Sequence, residues 1–489
     1  MNKGRLMKFT CCATTVLAFL IATGYSALSA LHAQTQDPPR ASLASRVSPP
    51  ANPALSCSPA PCVGSPVWPS TEGFTVNAPI AANPVNPKQL LLGSYTTNCP
   101  YPYGGGFYLS HDGGSTWGGL ICMDLVTIGG IVYTSSSPPM VGFDHQDTAY
   151  LADFFVDISD SSSAGFIAFE KSTDGGRNWT APVPALGRPN SDTVHPSLAV
   201  DVGSSSPYLN SVYISAVVAG PIQDITKNQV TVSHSRDQGN SWKQVAVAPV
   251  QTSPKVDFDT SLTVGKDGTV YVTWMYCNTG PSACGNLKGY MLFSKSTDGG
   301  DTWSAPVLMT TLDLPPELVL QNTGNFVTTI PVIGVDNSNG PYSGNLYVTL
   351  PNWTGSYFQV GVIHSTDGGK TWSKPVALAP PSDTHDQFFP WLSVSPTGLV
   401  GVSWLDRRND PANIEYQPFA AISRDGGQSF EPNILLSDAF SNPGVGTASG
   451  WMGDYIGNTW AGPNNFVAAW MDNSNSQYMV DAVGGIRLK

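Results

Sequence analysis

Charge is what this sequence has least of. Only 12% of its 489 residues are Asp, Glu, Lys or Arg, and 35 acidic residues outnumber 23 basic ones. The resulting net charge of −12 repels phosphate backbones, so nucleic acid is not an expected partner. Long helices with a charged face are poorly served by this composition. The 49 Gly and 41 Pro instead suit many short strands joined by tight turns. No Gly-x-Ser-x-Gly elbow, His-Glu-x-x-His pair or phosphate-binding loop occurs, which removes nucleophile–base chemistry of those kinds. No Asp-x-[Asp/Asn]-x-[Asp/Asn]-Gly calcium loop occurs either. No cofactor is therefore expected with any firmness; a structural Ca2+ held by loop acids is the one metal candidate.

Apolar runs are short as well. Lys3, Arg5 and Lys8 precede an apolar stretch from Ala13 to Ala22, below the roughly 20 residues of a membrane-crossing helix. Small residues follow at Ala27, Ser29, Ala30 and Ala33. This is the layout of a secretory signal over residues 1–33, cleaved after Ala33 or Ala30. The mature chain is then expected outside the cytoplasm, secreted or periplasmic, with no membrane span. Cysteine usage agrees: Cys11 and Cys12 leave with the leader, and the other six fall in near pairs, Cys57 with Cys62, Cys99 with Cys122 and Cys277 with Cys284. An even number in an exported chain implies disulfides, although sequence leaves their connectivity open. Residues 34–65, rich in Pro, Ala and Ser, read as an extended lead-in.

What the sequence does have is repetition. The octapeptide Ser-His-Asp-Gly-Gly-Ser-Thr-Trp at Ser110–Trp117 recurs, with changes, at Ser172–Trp179, Ser235–Trp242, Ser296–Trp303, Ser365–Trp372 and Ser423–Phe430. Its aspartates, Asp112, Asp174, Asp237, Asp298, Asp367 and Asp425, are spaced about 63 residues apart on average, a period that implies an array of similar units. Each copy has the chemistry of a hairpin turn. Asp accepts backbone N–H groups, Gly takes positive φ, and the closing aromatic starts the next strand. These aspartates are expected to be structural. Between the copies lie apolar strand pairs, from Ile80 with Leu90–Leu92 to a seventh, Tyr455-Ile456 with Phe466–Ala468, which has no octapeptide behind it. Four strands per unit around an axis predict an all-β propeller over residues 66–489, seven-bladed with six blades as the alternative. The last unit is expected to continue through Tyr478–Val480 and to take its outer strand from residues near 66–76.

The octapeptides resemble the Asp box, or BNR repeat, of sialidases. The segment Trp404-Leu-Asp-Arg-Arg-Asn-Asp-Pro411, followed by Gly453-Asp454-Tyr455, resembles a set of uncharacterised bacterial BNR proteins labelled exo-sialidase or glycosyl hydrolase. The resemblance implies the propeller strongly and the activity weakly, since one fold hosts many functions. Sialidases hold the substrate carboxylate with three arginines, the first in an Arg-Ile-Pro motif, and use a Tyr nucleophile beside an Asp acid/base. Here no Arg-Ile-Pro occurs and residues 66–109 contain no arginine.

In such a propeller the octapeptide turns occupy one face and the other loops the opposite, functional one. Several of those loops place acids or histidine just before an inner strand: Asp192 with His195, Asp257 with Asp259, His385 with Asp386, and Asp454. These, with Arg407 and Arg408, are the candidate ligand-binding residues. The arginines offer a bidentate fork for a carboxylate or, alternatively, ion pairs with Asp406 or Asp410; the acids offer hydrogen bonds to sugar hydroxyls or simply satisfy their own loops. The expected function is recognition of a glycan or other cell-surface ligand. The alternatives are a glycoside hydrolase, with Asp406 or Asp454 as proton donor and Tyr455 as nucleophile, and a protein-binding scaffold.

Overall fold

The computed structural model describes residues 61–99, 104–159, 165–220, 226–278, 284, 287–447 and 450–489. The expected signal peptide, most of the lead-in and Cys57 lie outside the described residues. Every regular element among them is a strand, apart from a single 3-10 residue. Among the described residues no helix is long and apolar enough to cross a membrane.

Antiparallel pairing sorts the strands into successive four-stranded units. The first runs Ile80–Ala82, Leu90–Thr96, Gly105–Ser110 and Ile121–Cys122. The second and third share the long strand Val183–Val200: its start pairs with Gly165–Ser172 and its end with Val212–Ala219. The later units start at Val256–Val264, Ile333–Val335, Gln387–Val394 and Gly457–Trp460. Each first strand packs on the first strand of the next unit, and Gly457–Trp460 packs back on Ile80–Ala82, so the array closes into a ring.

The closure differs in detail from the sequence expectation. The outer strand of the last unit is Cys62–Val63, paired with Arg487 and Ile486; only Val67, bridged to Val483, comes from the stretch near 66–76. The third strand of that unit is Val480–Arg487, so it begins where Tyr478–Val480 was expected to run. Thr75–Val76 joins the first unit instead, against Thr96 and Tyr95.

The octapeptides form the turns after the third strand of six units. In each, the Asp accepts from the Ser two residues before it and from the N–H and side chain of the residue four after it; in Asp367 the distances are 2.8, 3.0 and 2.6 Å. The opening Ser Oγ accepts the N–H of the second Gly, as from Gly369 at 2.9 Å. Gly369 has φ +85°, and a Cβ there would lie 2.2 Å from Phe293. The one copy without the first Gly keeps the shape at a cost, with Gln238 at φ 57°. The closing tryptophans do bridge units: Trp179, Trp242 and Trp372 meet Phe107, Phe169 and Phe293 of the preceding unit at 4.9, 4.9 and 5.4 Å.

Candidate functional site

Three inner strands carry the same defect at their loop ends. Register slips between Val194 and Ser197, Phe258 and Ser261, and Phe388 and Trp391. The first residue inside each slip, His195, Asp259 and Phe389, has φ of 48°, 54° and 51°. An extra residue in one strand of a pair re-aims a side chain, and holding a non-glycine residue left-handed costs about 1–2 kcal/mol. Strain of this kind concentrates where function needs it.

Two of the three re-aimed side chains meet. His195 Nδ1 lies 2.7 Å from Asp259 Oδ1. Asp259 Oδ2 also accepts from the N–H and Oγ1 of Thr329, both at 3.2 Å, and the neighbouring Thr328 donates its hydroxyl to the Asp454 carbonyl. Asp454 Oδ1 accepts Trp451 Nε1 at 2.9 Å, and Asn77 Oδ1 accepts the backbone N–H groups of Asp454 and Tyr455. Residues from five separate stretches thus converge around one imidazole.

The electrostatics are unusual. Burial works against a charged imidazole, yet the hydrogen bond and charge of Asp259, with Asp454 and Asp192 behind it, hold His195 up to about 9. Burial pushes Asp192 up to about 7 against the pull of His195, and pushes Asp454 upward too. Asp192 is 5% accessible and its Oδ1 has no hydrogen-bond partner. Buried acceptors are normally bonded, and an orphan costs about 1–3 kcal/mol. The His195 side chain remains 25% accessible, so the cluster opens to solvent at the imidazole. With Nδ1 on Asp259, Nε2 is the donor left for a ligand.

Aromatic rings flank the acids. Trp451 is half-buried and meets Tyr95 edge-on at 5.1 Å and Phe74 at 5.8 Å. Tyr455 stacks obliquely on Trp391 at 5.8 Å and belongs to an apolar floor with Met140, Ile330 and Val332. Its phenol is buried, and burial, then the charges of Asp454, Asp153 and Asp481, push it well above the usual tyrosine value. That environment opposes the ionisation a nucleophile needs.

The second group of sequence candidates forms a different, closed cluster. Arg407 is wholly buried. Its Nη1 donates to the carbonyls of Gln321 and Asn413 at 2.8 and 2.9 Å and lies 3.3 Å from Asp386, and its Nη2 donates to Thr323 at 2.9 Å. Asp386, equally buried, also accepts the N–H groups of Phe358 and Gln321. Burial lowers Arg407 to about 10. Arg408 lies on Asp406, 3.5 Å from Asp383 and over the Phe419 ring at 4.3 Å. His385 Nδ1 lies 2.9 Å from Asp383. In this cluster Arg408 pairs with Asp406, one of the two partners its ion-pair alternative named, while Arg407 pairs with Asp386, which it did not name, and turns its carboxylate fork inward.

Asp406 has a repeat of its own. It accepts Trp404 Nε1 at 2.7 Å, as Asp472 accepts Trp470 Nε1 at 3.3 Å one unit later. Trp-x-Asp at the end of a second strand is a structural latch, which argues against Asp406 as proton donor. Asp257 makes a related bond to Trp274 at 3.0 Å; burial pushes it up to about 7, and it does not touch the His195 cluster.

Sequence reasoning passed over Asp153, Asp481 and Glu170, which burial pushes up to about 7, 8 and 9. Asp153 accepts from Ser135 and Ser137, Asp481 from Ser94. The signal was there to read: each is an acid inside an otherwise apolar or small-residue strand. Two expected disulfides are present, Cys99–Cys122 and Cys277–Cys284; the third, Cys57–Cys62, involves a residue outside the described ones. No group of three or more His, Cys, Asp or Glu side chains among the described residues forms a metal site. The described arginines are dispersed: Arg236 and Arg424 reach Asp301 and Glu431 on the octapeptide face, Arg177, Arg188 and Arg487 are exposed, and Arg407 and Arg408 are held as above.

Comparisons with known proteins agree on the fold. The BNR/Asp-box repeat family model matches residues 363–374. A search of curated proteins finds no match. Among solved structures, a polysaccharide lyase of family PL25, an ulvan lyase, aligns with TM-score 0.50 and 10% identity over 85% of this chain and 97% of its own. An α-L-arabinanase from Penicillium chrysogenum aligns with TM-score 0.45 and 13% identity over 88% and 99%. A protein of unknown function from Dyadobacter fermentans aligns with TM-score 0.45 and 13% identity over 87% and 98%.

Proposed function

We propose that this chain, an all-β propeller carrying BNR/Asp-box repeats, is an exported glycan-recognition protein whose binding site is the cluster of His195, Asp192, Asp259 and Asp454. The observation that carries the reading is the part-exposed imidazole of His195, held at Nδ1 by buried Asp259. A few convergent polar groups beside an aromatic-flanked apolar layer suit a small polar ligand. Sugar hydroxyls both donate and accept, and the cluster offers both: a donor at His195 Nε2 and an acceptor at part-buried Asp454. The two disulfides fit an oxidising compartment.

A second reading, glycoside cleavage, is favoured by one specific feature. Burial holds Asp192 up to about 7 and pushes Asp454 above its usual range, and pushing neighbouring carboxyls apart in acidity is how one environment supplies an acid. Asp454 then keeps the proton-donor role. The dispersed arginines supply no carboxylate clamp, so sialoside cleavage is not part of this reading.

The test is a glycan array probed with wild-type protein and His195→Ala, followed by fluorogenic glycosides with Asp454→Asn. Binding abolished by His195→Ala supports recognition, and turnover abolished by Asp454→Asn supports cleavage. Glycan binding that survives His195→Ala unchanged sinks the site.

A further inference from the structure

The glycan site proposed above is flanked by aromatic rings on two sides. On one side Tyr276 stands directly opposite Asp257, two residues before Asp259 and so about 7 Å from it along the strand. Tyr290 pairs with Tyr276 across the next strand, and their rings lie 5.9 Å apart. Tyr276 packs against the apolar cluster that joins Tyr213 and Val217 of one unit to Val270 and Trp274 of the next, the seam that His195 and Asp259 also bridge. Both tyrosines remain part-exposed. On the other side, part-exposed Trp451 is backed edge-on by Tyr95 at 5.1 Å and bonded to Asp454 at 2.9 Å. Consecutive threonines tie this side to the imidazole: Thr328 bonds the Asp454 carbonyl and Thr329 bonds Asp259.

The two aromatic groups stand across the ring from each other. The unit of Tyr276 starts at Val256–Val264, Trp451 precedes the last unit at Gly457–Trp460, and the units starting at Ile333–Val335 and Gln387–Val394 separate them. Tyr276 belongs to a second strand, whereas His195 and Asp259 belong to the first strands that line the axis, so the imidazole lies between the two groups. A disulfide braces each group. Cys277 follows Tyr276 and is joined to Cys284; Cys99 lies four residues after Tyr95 and is joined to Cys122. Loops fixed beforehand lose less freedom when a ligand binds.

Resting on the glycan reading, we infer that the site takes a chain of at least three linked sugar units, the outer ones on Tyr276 and Trp451 and an inner one at His195. A single terminal sugar covers one ring face and does not reach both aromatic groups while bonding the imidazole. The C–H faces of the outer sugars pack on the rings, and the inner unit takes a hydrogen bond from His195 Nε2.

The experiment titrates the protein calorimetrically with arabino-, xylo-, manno-, cello- and galacturono-oligosaccharides of one to six units. Affinity in the series that binds is expected to rise by about tenfold or more from one unit to three. Tyr276→Ala and Trp451→Ala are expected to weaken binding by a factor that grows with chain length, reaching about tenfold at five units, with thermal unfolding confirming that both variants fold. Tyr276→Phe, which keeps the ring, should restore the wild-type length dependence. Full affinity already present in a single sugar overturns the span while leaving recognition at His195 standing. Losses in the two Ala variants that are absent, or equal at every length, also overturn it. Binding of no member of any series overturns glycan recognition itself, and the span falls with it.

Discussion

Two His–Asp pairs sit on the same face of this molecule with nearly the same geometry. His195 meets Asp259 at 2.7 Å and His385 meets Asp383 at 2.9 Å; the imidazole side chains are 25% and 28% accessible. Their surroundings differ in kind. Around His385 the charges are balanced: Arg407 is enclosed with Asp386, and Arg408 with Asp406 and Asp383. Around His195 three acids share one cation, and an oxygen of Asp192 is left over. A His–Asp distance alone therefore says little about function. Unsatisfied atoms alone do not separate them, since Arg407 Nε and Arg408 Nε are also buried without a hydrogen-bond partner; the difference lies in how the charges are paired.

Removing Arg407 should have the largest effect on stability. Arg407→Ala leaves Asp386 buried and uncompensated, a loss of about 3–5 kcal/mol, and should lower the thermal midpoint sharply in calorimetry. A glycan affinity unchanged in the fraction that folds would confirm that the closed cluster is a strut. His195→Ala should differ in binding: glycan affinity falls by at least tenfold, about 1.4 kcal/mol, and the midpoint falls too at neutral pH, because buried Asp259 loses its cation. Equal effects of the two variants on binding would erase the distinction.

Asp367→Ala, on the far face, tests a third environment. It deletes bonds to Ser365, Lys370 and Thr371 and should cost about 1 kcal/mol with no effect on binding. The smallest effect is expected from Asp192→Asn, which should raise the midpoint slightly at pH 8 and leave it unchanged at pH 4, since only the charged form is penalised by burial.

Acidity separates the same regions. Hydrogen bonds from Thr371 hold Asp367 down to about 2, so its contribution is complete above the ordinary 3.8 and fades as pH falls through 2. Asp192 keeps its proton from 3.8 to about 7 in the folded chain, so stability declines as pH rises across that window. His195, raised from 6.5 to about 9, contributes fully below 6.5 and is lost as pH rises through 9. Both signs follow from the excess of protons bound by the folded state. Thermal midpoints measured from pH 2 to 9 should therefore peak at about pH 4–6. A peak at pH 8 would contradict these assignments.

The fold was legible because its signals are periodic. The octapeptides carry their own turn chemistry, and the strand pairs recur between them. The site was legible only in part. Asp192, His195, Asp259 and Asp454 stood out as polar residues before inner strands, but so did Asp386 and His385, and sequence could not tell which group would be balanced. That outcome depends on one-residue slips in the inner strands and on Thr328 and Thr329 arriving from another unit, neither of which leaves a periodic trace. Asp406 looked functional in isolation; the parallel between Trp404-x-Asp406 and Trp470-x-Asp472 was available in the sequence and points to structure. Arginine scarcity made Arg407 conspicuous, yet its rarity reflects a fold that needs few buried charges and encloses this one.

The most direct test of the open cluster as the binding site is an NMR titration of the two imidazoles with a neutral oligosaccharide that binds the protein. The ring resonances of His195 are predicted to shift saturably on addition of the sugar while those of His385 stay in place. Shifts at His385 with His195 unmoved would place the ligand on the strut and contradict the assignment.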